Sequence, residues 1–491
     1  MASLSAPVKY ASGQGAMLAT GHPLAAAAAR DMLRDGGSAV DAAIAADAVM
    51  GVVEPMATSI GGDLQAMIVE PNGEAITCNG TGRSPLALTE SMVAAFPGGR
   101  LPERHPLTVT VPGAVQGWHD VHQRYGKLPW ARLLQPAIEI AEQGFAVAEV
   151  AAREWHWFQH VLRVDPACAQ LYRAEQAPQA GERFVNPELA AVLRAIAEDG
   201  PPAFYSGRVA QAMARGVQAQ GGVLSEEDLA RHVGDWRAPL RAEFRGLTLL
   251  ECPPNSHGCA VLEALQETDR QCRNLDPASP QAMLELVRNT GVALARARAT
   301  VTDPSGNTVC TVVVDDSGLA VTLMSSIFKR FGCGIVAPGC GFVMQNRGFG
   351  FGPPGHVNSP GPGKRPYHTV IPAAALKDGR HYASFGVVGG LMQPQGHIQL
   401  LWRLAAMGQG LDEAMRAPRW RLEAGDTLAI ETGTPEETSA LLRSNYAAPA
   451  KGAGELAGRS DFGGAQFLRR KDDGSLEAAS DPRKDGCALA L

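Results

Sequence analysis

From Ser38 to Pro55 the chain reads SAVDAAIAADAVMGVVEP, a run of helix formers with almost no side chains of the kind that face water. A helix on the surface of a globular protein keeps a polar stripe, and one without it has to be packed between other layers. The preceding segment, HPLAAAAARDMLRDGG, has the same character, with Pro23 near its start and Gly36-Gly37 as its stop. Ser38 is placed to cap the second helix, and Val40, Ile44 and Ala48 fall on one of its faces. Whatever the fold is, it must bring further layers against this pair.

The rest of the chain says what those layers are. SIGGDLQAMIVEPNGEAITCNG alternates as a hairpin does, with Asn72-Gly73 at its turn. From residue 113 to about 300 the pattern is mainly helical, as in LLQPAIEIAEQG, PELAAVLRAIAEDG and SPQAMLELVRNTGVALARARA, with one short strand-like insert, FRGLTLLECPP. After residue 306 strands dominate: VCTVVVDDSGLAVTLMSS, GCGFVMQN and HYASFGVVGG. A helix, GHIQLLWRLAAMGQGLDEAMRAP, and strands near AQFLRR and GSLEAA complete the chain, and VNSPGPGKRP is the strongest loop signal. Strands enclosed by helical segments predict an α/β fold with helices on both outer faces.

Composition narrows the function classes. With 491 residues, 45% of them hydrophobic, there is material for one large layered domain. A formal net charge of -6 without blocks of like charge argues against nucleic-acid or anionic-membrane partners. The N-terminus lacks a basic segment followed by an apolar stretch, and no run is long enough to span a membrane. Nine scattered cysteines read as reduced thiols, which together predicts a cytoplasmic protein. Cys252 with Cys259 and Cys333 with Cys340 are spaced too widely for a zinc ribbon, so no metal and no cofactor is expected.

Several tempting motifs fail on chemistry. GFGFGPPG lacks the helix a dinucleotide turn must open, because Pro353 and Pro354 forbid it. HWFQH has no glutamate of a zinc-protease helix, and the S-x-x-K at Ser326 has no accompanying S-D-N or K-T-G. What remains is GNTVCTVVVDDSG, residues 306 to 318, where a threonine stands at the mouth of a β-branched run. A plain hairpin accounts for it: Val309 to Val314, a turn at Asp315 to Gly318, then Leu319 to Met324. A second reading makes Thr308 a new N-terminus whose hydroxyl is a nucleophile, with its own α-amine as base; the two readings are compatible.

The second reading gains weight from a resemblance. HPLAAAAARDMLRDGGSAVDAAIAADAVMGVVEP, VPGAVQGWHDVHQRYGKLPWARLLQPAIEIAEQGF, TVCTVVVDDSGLAV, FGCGIVAPGCGFVMQNRG, PGKRP, VVGG, EAMRAPRW and SDPRKDG occur in an order similar to that of the gamma-glutamyltranspeptidase family. The resemblance covers about residue 15 to 487. It implies a four-layer αββα sandwich of the N-terminal nucleophile hydrolase type, cut between Asn307 and Thr308 into segments 1–307 and 308–491 that stay together. It implies amide hydrolysis or acyl transfer through an ester on Thr308, with Gly389 and Gly390 as the oxyanion-hole pair and Ser326 as a supporting hydroxyl. The partners implied are a small-molecule amide and water or an amine acceptor, and a higher oligomer is compatible with it.

The chain also departs from that pattern. The family's glutathione-active members hold the substrate carboxylate with an arginine and adjacent serines, and its ammonium with an acid. Here Thr81 takes the arginine position, with Arg83 two residues on, and Tyr367-His368 replace the serines. Asn346-Arg347-Gly348-Phe349-Gly350 loses the acid, and Phe328 replaces an asparagine. Arg347 becomes the candidate for a substrate carboxylate, flanked by His368 and Tyr367. The pattern resembles the acylase and oxamate amidohydrolase branches more than the glutathione branch. The segment before Thr308 is also several dozen residues shorter than is usual. The reading outside enzymology is an uncut relative that binds without turnover.

Overall fold

A computed structural model describes residues 9–301, 307–423, 427–449 and 462–491. Two seven-stranded antiparallel sheets face one another. In the first, the spatial order is Tyr10–Gly13, Leu476–Ser480, Gly464–Arg470, Arg380–Val388, Ala373–Lys377, Leu247–Glu251 and Leu240–Phe244. In the second it is Cys487–Ala490, Met17–Thr20, Asn307–Val314, Ala320–Phe328, Asp63–Val69, Ala75–Asn79 and Asp235–Arg237.

Three apolar layers hold this together, and each strand supplies two of them by alternation. Met17, Met67, Leu250, Val312, Met324 and Leu468 belong to the layer between the sheets. Val309, Val313, Val321, Leu323 and Ile327 point the other way, into the helices that cover the second sheet. Phe385, Val387 and Phe467 do the same for the first sheet, against helices Cys259–Gln271, Pro280–Thr300 and Met392–Leu401. The result is the expected αββα sandwich. The two sheets approach closely at Gly386, where a Cβ would lie 2.6 Å from Cys310 Sγ and 2.7 Å from Met324 Sδ.

The apolar helix lies where its composition requires. All 15 residues of Ala39–Val53 are buried, and Ser38 and Asp41 form a reciprocal capping box at its start. It packs on strands Asn307–Val314 and Ala320–Phe328, and helices Pro23–Arg34, Ala114–Tyr125 and Trp130–Gln143 close over it. Its mid-helix acid, Asp47, is buried and accepts from Trp118 Nε1 at 2.8 Å and Ser325 Oγ at 2.6 Å. Burial pushes that carboxyl up to about 6, against those two hydrogen bonds.

Four local expectations change. GCGFVMQN is irregular and carries only a bridge between Val336 and Val343, because Gly339 and Gly341 take φ of 66° and 72° and break the pleat. The predicted helix after residue 395 ends in a π turn at Trp402–Ala406 and resumes as Leu411–Arg416, split at Gly408, whose φ is 67°. FRGLTLLECPP is part of a full hairpin of the first sheet. The short strands Tyr10–Gly13, Met17–Thr20 and Cys487–Ala490 complete the sheets without any clear sequence signal. All nine cysteines are free thiols, and no helix among the described residues is long and apolar enough to cross a membrane.

Candidate active site

Thr308 sits at an irregularity. The ladder between its strand and Ala320–Phe328 pairs Asn307 with Phe328 and Val309 with Ser325, so the register skips at Thr308. Val309 points into the helical layer and Cys310 into the inter-sheet layer. The skip interrupts that alternation at Thr308. The residue is 3% exposed.

Its hydroxyl is held from helix Met392–Leu401, which follows the first sheet's strand Arg380–Val388. Gln393 Nε2 donates to Thr308 Oγ1 at 2.7 Å, and Gln393 Oε1 accepts from the Ile371 N–H at 3.2 Å. The second bond fixes which end of the amide faces Thr308. A donor aimed at Oγ1 stabilises that oxygen as it loses its proton. Gln393 was not legible as a site residue, although it stands three positions after the Gly389-Gly390 pair.

That pair ends strand Arg380–Val388 and precedes helix Met392–Leu401. Both residues have positive φ, 116° at Gly389 and 63° at Gly390. A Cβ on Gly389 would lie 3.1 Å from Gly463 Cα, so a side chain would be crowded as well as conformationally strained. Among the described residues neither backbone N–H has an acceptor. Two free donors at the positive end of a helix suit a developing oxyanion.

Ser326 faces the inter-sheet space. Its hydroxyl accepts from the Phe328 N–H at 2.9 Å and from Arg347 Nη2 at 3.0 Å. Arg347 is fully buried, lies 4.2 Å above the Phe328 ring, and donates from Nη1 to Thr369 Oγ1 at 3.3 Å. Its Nε is 3.7 Å from Asp63 Oδ2 and makes no hydrogen bond among the described residues. Burial lowers the guanidinium to about 9 while Asp63 supports its charge, so it stays a cation at neutral pH.

Asp63, opposite Ser326 in the neighbouring strand, anchors this group. Oδ1 accepts from the Gly82 N–H at 2.8 Å and Gln345 Nε2 at 3.0 Å, and Oδ2 accepts from His368 Nε2 at 3.3 Å. Burial alone would raise its carboxyl; the His368 bond and the charges of His368 and Arg347 outweigh it and hold the group below the usual range. His368 Nδ1 accepts from the Val370 N–H at 3.2 Å, which leaves the proton on Nε2. Burial, then Arg347, depress His368 to about 4, so it is neutral at physiological pH.

The remaining candidates divide. Tyr367 is buried beside this group, but its hydroxyl donates to His257 Nδ1. Arg83 is exposed and donates to the Gly363 carbonyl at 3.3 Å, and it does not join the cluster. Thr81 is buried and donates to Asn79 Oδ1 at 2.7 Å. The backbone of Asn307 pairs with Phe328; the residues immediately before it, 302–306, lie outside the described residues. Among the described residues no cluster of metal-ligating side chains occurs.

Comparisons with known proteins show the family. The profile of the family described as Gamma-glutamyltranspeptidase matches residues 25–309 and 296–491. The chain is 34% identical to the oxamate amidohydrolase proenzyme of Klebsiella pneumoniae, over 95% of this chain and 97% of that one. It is 31% identical to the glutathione hydrolase-like YwrD proenzyme of Bacillus subtilis, over 98% and 99%. The solved cephalosporin acylase from Bacillus halodurans superposes with a TM-score of 0.91 at 31% identity, over 100% of this chain and 99% of that one. With the motif order, the sandwich and a threonine at the strand mouth all in place, this chain belongs to the gamma-glutamyltranspeptidase family of N-terminal nucleophile hydrolases.

Proposed function

We propose that the chain cuts itself before Thr308 and then hydrolyses a small carboxylated amide through an ester on that residue. One observation carries this: the buried Thr308 hydroxyl is held by Gln393, which stands three residues after Gly390 in the helix that the unengaged N–H groups of Gly389 and Gly390 precede. The α-amine freed by the cut, with a reference pKa of about 7.7–8.0, takes the hydroxyl proton. Oγ1 attacks the amide carbon, and the oxyanion meets the two glycine N–H groups. The amine then gives its proton to the leaving nitrogen, and water or an amine acceptor cleaves the ester. The segments 1–307 and 308–491 would not separate, because both sheets interleave them: Val313 pairs with Leu18, and Ala375 with Leu249. The word proenzyme in the names of both relatives supports the cut. Mass spectrometry of purified protein should find two chains, the second led by Thr308; one uncut chain would leave the binding-protein reading.

For the acyl group we infer a carboxylate without an α-ammonium. Arg347 supplies a buried cation with an unengaged Nε–H, and segment 346–350, NRGFG, carries no acid for an ammonium. Nor can one be added simply at residue 350: a Cβ on Gly350 would lie 2.9 Å from the Tyr367 carbonyl oxygen. In a screen of amides, oxamate and similar compounds should turn over better than glutathione, and comparable glutathione turnover would sink this assignment. Arg347→Lys keeps the charge but loses the planar fork. Its Michaelis constant for the best amide should rise by roughly tenfold or more, the scale of a lost charge-assisted bond of about 1.5–3 kcal/mol. Unchanged kinetics would leave Arg347 a structural residue.

A further inference from the structure

A small cavity touches Thr308. A cavity of about 10 Å³ is lined by Thr308, Gly21, Glu54, Gln466 and Lys484 among others. It has room for about one water molecule. Its polar groups come from three separate elements: Glu54 closes helix Ala39–Val53, Gln466 lies on strand Gly464–Arg470, and Lys484 precedes the C-terminal strand. Gln466 is 2% exposed, and its Oε1 has no partner among the described residues.

Glu54 is 8% exposed and forms no ion pair among the described residues. The charges around it are Lys484, Glu154, Asp485 and Arg330. Lys484 Nζ is committed to Glu154 Oε1 at 2.9 Å, and Arg330 pairs with the same glutamate. Burial is the largest influence on Glu54 and pushes its carboxyl up to about 7.

The peptide N–H of an uncut Thr308 is a single neutral donor. An acid and an orphan acceptor around a one-water space suit a group with more donors and a charge. We infer that Glu54 and Gln466 hold, through one water in this cavity, the amino group that the cut leaves on Thr308, and that the Glu54 charge sets how tightly that group keeps its proton. The inference rests on the reading of Thr308 as the mature N-terminus. The ammonium passes a proton to the water, and the water passes one to the Glu54 carboxylate. The free amine then takes the hydroxyl proton of Thr308. A carboxyl near 7 and an α-amine of about 7.7–8.0 make the exchange nearly even. Glu54 does not touch the acyl group, so its role is one of positioning and charge.

The amine can be titrated without knowing the substrate. Cyanate carbamylates free α-amines, and the mass of the 308–491 chain reports the extent at each pH. A carboxylate favours the ammonium, so Glu54→Gln should lower the midpoint by about one pH unit or more, and the acid limb of kcat/KM should move the same way. Glu54→Asp, which keeps the charge, should stay near wild type. Gln466→Met removes an uncharged amide, its acceptor and donor together, and should shift the midpoint in the same direction by less, which also serves if Glu54→Gln fails to cut itself. Midpoints that coincide with wild type in the cut variants overturn this inference alone. A wild-type protein that remains one chain overturns the Thr308 reading, and this one with it.

Discussion

Thr308→Ala is expected to leave one intact chain of 491 residues with no amidase activity. The substitution removes the only atom that both proposed steps share, the hydroxyl oxygen held by Gln393. It should not unfold the protein. The strand around residue 308 is held by ladder bonds on both sides and by Val309 and Val313 in the helical layer, none of which needs the hydroxyl. The lost bond leaves Gln393 Nε2 without its acceptor, at a cost of about 1–3 kcal/mol, well inside a typical stability of about 5–15 kcal/mol. Thr308→Ser keeps the oxygen and should be cut more slowly, with some activity remaining. In the mature wild type, activity should fall as pH drops through the amine pKa, because a protonated amine cannot accept the hydroxyl proton. Chain number by mass and turnover by ammonia release decide the matter. An active Thr308→Ala protein would leave Thr308 as the first residue of a strand and nothing more.

The layers of this protein were legible because their signals are collective. Ala39–Val53 carries no polar stripe, and Val309 to Val314 is a β-branched run, so burial between layers followed for the helix and strand for the run. Where structure depends on one backbone torsion, the pattern misleads. GCGFVMQN has the apolar content of a strand, yet two positive-φ glycines fold it onto itself, with Met344 N–H bonded to the Ile335 carbonyl. Of the candidate site, the groups proposed to do chemistry could be named beforehand: the threonine from its place before a β-branched run, the glycine pair and the arginine from the family resemblance. The residues that orient them could not. Gln393 is one of three glutamines in helix Met392–Leu401, and Asp63 follows two glycines in what reads as an ordinary hairpin. Their importance lies in contacts across 85 residues of sequence for Gln393 and 282 for Asp63, which no local spacing encodes.

Asp63→Ala should therefore destabilise the protein more than any single change in the visible site. The carboxylate is fully buried and satisfies the Gly82 N–H, Gln345 Nε2 and His368 Nε2 while facing Arg347 at 3.7 Å. Alanine leaves the guanidinium as an uncompensated buried charge and strands three donors, a loss on the scale of about 3–5 kcal/mol. Asp63→Asn keeps an acceptor but loses the charge and turns an NH₂ toward one of its present donors, so it should fall between the two. The sign with pH follows from the depressed carboxyl: its contribution is present above the unfolded value of about 3.9 and is lost as pH falls through the lower folded value. Urea midpoints at neutral pH should thus rank wild type, Asp63→Asn, Asp63→Ala. Removing the stranded charge as well separates this account from simple loss of packing. Asp63→Ala with Arg347→Met should recover part of the loss, because an apolar side chain needs no counterion in the same space. If the single Asp63→Ala change costs less than about 1 kcal/mol, or the double change only adds further loss, Asp63 does not hold the arginine. The orientation of Arg347 toward Ser326 would then have to come from Thr369 and the Phe328 ring.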